Sequence, residues 1–164
     1  MMSTMQLRSE HTYDATPDEV FEMRSDPAWR AKVCEAQRVV SHDISIEPTD
    51  QGYVLVNHQV QPTAGLPDLA KKFVGDTTTV LQREEWADRE SATVSIEPHG
   101  VPSSARGTIT LRPAGSGTLE VTVLDAKVKV PVVCRKLEGL LVQAIQAGLD
   151  AEARVGDAWL AGER

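Results

Sequence analysis

Beyond Pro131 the sequence places apolar residues at a spacing near 3.6. Val133, Leu137, Leu140, Leu141, Ala144, Ile145, Gly148, Val155 and Trp159 trace one stripe, while Arg135, Lys136, Glu138, Gln143, Gln146, Asp150, Glu152, Arg154 and Asp157 fall mostly off it. The pattern predicts one amphipathic helix of about 25 to 30 residues, ~40 Å long. A helix of that length and composition is not stable alone in water, so its stripe must be buried on a large apolar surface. Gly139 and Gly148 cost helicity. They either permit close contact with that surface or leave space for a cavity.

The rest of the chain supplies the surface as a sheet. From Gln37 onward the period changes to two, and strand-like runs follow at Arg38 to Glu47, Gly52 to Gln61, Thr77 to Trp86, Ser91 to Glu97, Ala105 to Arg112 and Thr118 to Val130. Turn clusters at 48–52, 98–102 and 113–117 separate several of these runs, and short connections favour antiparallel neighbours. Pro62 to Asp76 is the exception, a longer connection that predicts a short helical turn or flap. Alternation assigns Val54, Val56, His58 and Val60 to one face of their strand, Ala92, Val94 and Ile96 to one face of another, and Ile109 and Leu111 to a third. These predict the apolar side. The last strand changes phase, with Leu119, Val121 and Val123 on one parity and Leu124, Ala126, Val128 and Val130 on the other, which predicts a bulge near Leu124-Asp125.

Ahead of the meander, Met5 to Tyr13 reads as a strand. Thr16-Pro17-Asp18-Glu19 is a capping box with proline at the first helical position, and Asp26-Pro27 closes that helix and starts another carrying Trp29 and Val33. At 164 residues the chain has the length of one domain, 1–164. Its net charge of −7, with no dominant basic stripe, excludes it from the usual nucleic-acid binders. The longest apolar runs fall short of the ~20 residues that cross a bilayer. Met1 to Gln6 lacks the pattern of a secretory signal, so a cytoplasmic location without stable membrane insertion is expected. Cys34 and Cys134 are then expected as thiols that pack like small hydrophobes.

The order strand, two short helices, meander, long helix resembles the helix-grip fold of the START-like superfamily, which includes polyketide cyclases and lipid-transfer domains. The opening Thr16-Pro17-Asp18-Glu19-Val20-Phe21, with Ser25-Asp26-Pro27 and Trp29, is similar to the superfamily's. Residues Leu66 to Asp76 and Val128 to Glu138 resemble an uncharacterised bacterial subfamily of actinobacterial type. The fold class implied is α+β, a curved antiparallel sheet of about seven strands wrapped around a long C-terminal helix. The resemblance further implies a deep apolar pocket between sheet and helix. It transfers no residue roles.

Val54, Val56, His58, Val94, Ile109, Leu141 and Gly148 are the expected pocket residues, with Phe73 on a flap over the mouth in the long connection. His58 is the candidate proton shuttle. Its plainer reading, a histidine at a sheet face that is partly open or hydrogen-bonded to a neighbour, outweighs that role. His11, His42 and His99 show no metal-ligand spacing, and neither cysteine sits in a recognisable catalytic sequence. Gly115-Ser116-Gly117 is a hairpin turn and not a phosphate loop. Glu84-Glu85 and Asp88 read as solvated charges at a strand end, and Lys127 and Lys129 as outer-face residues. Phe21, Trp29, Trp86 and Trp159 read as core.

The reading that follows is a binder or carrier of a hydrophobic small molecule or lipid. No catalytic residue, metal or cofactor is assigned, and a monomer or homodimer is expected. Alternatives are an enzyme of the cyclase, aromatase or hydratase kind, and a protein-interaction module whose cavity is filled by side chains.

Overall fold

The computed structural model describes residues 4–63, 68–72, 75–100, 102–129 and 134–164. Strand β1 (Met5–Tyr13) leads into α1 (Pro17–Arg24) and α2 (Pro27–Ala36). The predicted capping box forms: Thr16 Oγ1 accepts the Glu19 N–H at 3.2 Å, and Glu19 Oε1 accepts the Thr16 N–H at 3.4 Å. Asp26 caps α2 by accepting the Ala28 N–H at 2.8 Å. Then come β2 (Ser41–Pro48), β3 (Tyr53–Pro62), the short α3 (Asp68–Lys71), β4 (Thr77–Trp86), β5 (Ser91–Pro98), β6 (Ser103–Ala114), β7 (Gly117–Val128) and α4 (Cys134–Leu160).

All seven strands form one sheet in the order β1-β7-β6-β5-β4-β3-β2, each pair antiparallel. This is the α+β helix-grip architecture the sequence predicts. Helix α4 packs closely against β1 and β7 and against α1 and α2. Its close packing is thus biased to one half of the sheet, and a space remains between it and β3–β5.

The core is built from Trp29, Leu55, Val20, Leu111 and Leu124, all buried. An aromatic group closes one end, where Tyr53 stacks on Trp86 at 5.7 Å and Phe21 meets the Trp86 ring edge-on at 5.7 Å. Trp159 is buried as well. Lys127 and Lys129 are exposed, as expected.

Three face assignments are corrected. On β3 the inward side chains are Tyr53, Leu55, Asn57 and Gln59, whereas Val54, Val56 and Val60 are only half-buried and His58 is exposed on the opposite face. The inner face is amide-rich, and the NH2 groups of these amides find partners: Asn57 Nδ2 and Gln59 Nε2 approach Cys34 Sγ at 3.5 and 3.7 Å. Strand β7 runs in one unbroken register, from Ala126 opposite Met5 to Thr118 opposite Tyr13, without the predicted bulge. Thr118, Glu120 and Thr122 point inward with Leu124, Ala126 and Val128, so the phase change reflects buried polar residues and not a kink. On α4, Ala144 is exposed and the off-stripe Glu138 and Glu152 are buried.

At Gly107 of β6 a Cβ would stand 1.7 Å from the Val123 carbonyl oxygen of β7, whereas at Gly75 it would meet nothing within 4 Å. Gly107→Ala therefore requires movement of the β7 backbone. It should cost about 1–3 kcal/mol in urea denaturation, against less than ~0.5 kcal/mol for Gly75→Ala.

Candidate functional site

The kink between α1 and α2 sends two guanidinium groups into the interior. Arg24, the last residue of α1, is 1% exposed, and Arg30 of α2 is 3% exposed. Three carboxylates from three other elements meet them. Arg24 Nη1 donates to Glu152 Oε1 of α4 at 2.6 Å and to both oxygens of Glu120 of β7 at 3.1 and 3.2 Å. Its Nη2 donates to Glu84 of β4 at 3.3 Å. Arg30 grips Glu84 with two parallel bonds of 2.9 Å, donates to Tyr53 Oη at 3.0 Å, and uses Nε to satisfy the Arg24 carbonyl at 2.7 Å. Trp86 Nε1 donates to Glu84 Oε1 at 3.0 Å. The indole faces of Trp29 and Trp86 each lie 5.6 Å from the Arg24 guanidinium.

Burial alone would raise the Glu84 pKa, but Arg30 and then Arg24 outweigh it and hold the carboxyl down at about 2. Glu120 goes the other way. Its burial and the charges of Glu152 and Glu84 exceed the help from Arg24, so its pKa is raised. Burial pushes the Tyr53 hydroxyl up to about 12 and raises the thiol of Cys34, a buried free cysteine.

A row of amides connects this cluster to the space beneath α4. Gln61 Nε2 donates to Gln59 Oε1 at 2.8 Å, Gln59 Nε2 to Gln82 Oε1 at 3.4 Å, and Gln82 Nε2 to Glu84 Oε2 at 3.2 Å. The direction is forced by its end, since an ionised carboxylate only accepts. The cavity beside the row has a volume of about 400 Å³. Its walls are Gln59, Gln61, Val80, Gln82 and Ile96 from the sheet, Leu141, Ile145, Gly148 and Leu149 from α4, and Gln37 at the end of α2, with Glu152 also in the wall. Arg38, Ala144 and Arg154 are exposed and mark its rim.

Of the residues expected at the pocket, Leu141 and Gly148 line it. Val94 and Ile109 face inward but belong to the packed core, Val94 directly opposite Glu84. Val54, Val56 and His58 lie on the far face of the sheet, and Phe73 lies outside the described residues. Glu84 is a correction: it is 1% exposed, while its neighbour Glu85 is the solvated member of the pair. Sequence reasoning missed Arg24, Arg30, Glu120 and Glu152. Parity carried a signal for Glu84, which shares a face with Val80 and Trp86, and for Glu120, which shares one with Leu124 and Ala126. Among the described residues no three His, Cys, Asp or Glu side chains gather as a metal site would require, and no helix is long and apolar enough to cross a membrane.

A family model described as a protein of unknown function (DUF2505) matches residues 8–160. The chain belongs to this family. No curated protein matches the sequence. Among solved structures, the Zhui aromatase/cyclase from Streptomyces sp. R1128 is similar at 15% identity over 99% of this chain and 100% of that one, with a TM-score of 0.68. A protein from Thermus thermophilus is similar at 18% identity over 98% and 100%, TM-score 0.68. A START superfamily protein from Mycobacterium smegmatis matches at 13% identity over 93% and 94%, TM-score 0.58. These likenesses show the fold: this family member has the START-like helix-grip architecture, a fold shared with ligand-binding and cyclase proteins.

The two shifted carboxylates set opposite pH trends. Glu84, held at about 2 in the fold against an ordinary 4.5, contributes stability that is present above 4.5 and lost as pH falls toward 2. Glu120, raised in the fold, contributes stability that is present below 4.5 and lost as pH rises through its folded value. Thermal unfolding followed by circular dichroism should therefore show Glu120→Gln flattening the decline on the alkaline side while keeping the acid limb. Glu84→Gln breaks the buried bidentate pair and should cost about 3–5 kcal/mol.

Proposed function

We propose that this protein binds a hydrophobic small molecule or lipid chain in the cavity between α4 and strands β3–β5. The observation that carries this reading is the cavity itself: about 400 Å³, within the size range of small-molecule sites, and not filled by side chains. Apolar walls from Val80, Ile96, Leu141 and Ile145 supply affinity by burial, and the amide row offers a few fixed polar contacts. Pro62, where the 62–76 connection begins, forms part of the wall, which supports entry from that side. The same architecture in START-like proteins agrees with such a role.

A second reading adds a reaction. The Zhui protein is an aromatase/cyclase. Here Glu152 is the carboxylate in the cavity wall and would be the acid–base group.

An environment-sensitive, uncharged dye such as Nile red should bind the purified protein and be displaced by long-chain lipids. Leu141→Trp, which fills the cavity from α4, should weaken dye binding at least about tenfold with little change in Tm. His58→Ala, on the exposed far face, should leave affinity within about twofold. Unchanged dye affinity in Leu141→Trp would place the dye elsewhere and refute the assignment.

A further inference from the structure

The described cavity wall contains a carboxyl group that the protein leaves half used. Glu152 is 5% exposed and forms part of that wall. Its Oε1 accepts from Arg24 at 2.6 Å, but among the described residues no donor reaches Oε2. That oxygen is also not one of the sealed unpartnered side-chain atoms among the described residues, which are Arg24 Nε, Trp29 Nε1 and Asn57 Oδ1. Oε2 is thus accessible, and a bound molecule that displaces water from it must supply a donor or leave the oxygen without one at a cost.

A second feature points to a ligand with the same chemistry. The amides in the wall also present acceptors. Gln37 engages its NH2 on the Gly148 carbonyl at 2.9 Å, and Gln61 its NH2 on Gln59, which leaves both amide oxygens available. The rim arginines Arg38 and Arg154 are exposed and hydrated, so the buried part of the wall sets the preference.

Resting on the ligand-binding reading above, we propose that the molecule held in this cavity carries a hydroxyl or amine whose hydrogen is received by Glu152 Oε2. Carboxylate-ended chains are disfavoured, because a carboxylate has no hydrogen to offer Glu152 Oε2.

The test is displacement of Nile red from the full chain by 1-decanol, decylamine, methyl decyl ether and decanoic acid, using the unmodified protein and Glu152→Gln. The ether has the larger apolar area, so burial alone favours it over the alcohol. The alcohol and the amine should nevertheless bind about tenfold tighter than the ether, as expected for one hydrogen bond that the ether cannot donate. In Glu152→Gln the carbonyl must accept from Arg24, which turns the NH2 toward the cavity and replaces an acceptor with a donor. The advantage of alcohol and amine should then fall within about threefold, with ether affinity unchanged.

Equal affinity for alcohol and ether, an advantage that survives the substitution, or decanoic acid as the tightest probe would each overturn the proposal while leaving the cavity reading standing. Failure of Nile red and every probe to bind would overturn the cavity reading as well. Should Glu152→Gln not fold, the alcohol–ether comparison on the unmodified protein decides alone.

Discussion

The Arg24 guanidinium joins four parts of the chain. It closes α1 and reaches Glu84 on β4, Glu120 on β7 and Glu152 on α4. Buried ion pairs of this kind add little net stability over an apolar core, because desolvation offsets their attraction. Their consequence is positional. A one-residue slip of β4 would turn Glu84 to the outer face and strand both arginines without it. A rotation of α4 would do the same to Glu152. With Glu152 held toward Arg24, the residues four, seven and eleven positions earlier, Gly148, Ile145 and Leu141, are carried onto the cavity face. The cluster and the cavity are thus two consequences of one helix orientation.

Much of this fold was legible in the chain because its signals are local. The capping box at Thr16, the proline restart at Asp26-Pro27, the turn clusters between strands and the long apolar stripe each act over a few residues, and each element is present. The interior chemistry was not legible, because its partners are remote: Arg24 meets residues 60, 96 and 128 positions away. A rule that equates apolar with inside then fails where the inside is polar. It reversed β3, whose outward valines suit a pleated strand while Asn57, Gln59 and Gln61 line the interior side. It also read a bulge into β7, where Thr118 and Glu120 are buried by their partners at Ala15 and Arg24. On α4 the stripe found Leu141 and Gly148 but treated Glu152, on the same face, as solvent-facing.

The location of the cavity follows from how α4 is seated. The helix is close-packed toward β1 and β7 and stands off from β3–β5, where Gln59, Gln61 and Gln82 of β3 and β4 share the inner face with Val80 and Ile96. Those amides are ordered in one direction by the anion at their end, so the wall has a defined polarity before any ligand arrives. A preorganised polar wall in an apolar space selects by hydrogen-bond pattern as well as by size.

The state of the buried carboxylates decides whether the cluster organises the fold. Carboxyl-carbon NMR of the folded protein, titrated across acid and neutral pH with Glu84, Glu120 and Glu152 assigned, reads that state directly. Glu84 should remain ionised down to about 2, and Glu120 should take up its proton above the ordinary carboxylate value of 4.5. If both titrate together near 4.5, the value of a solvated glutamate, the carboxylates are not enclosed with the arginines and the cluster does not organise the fold.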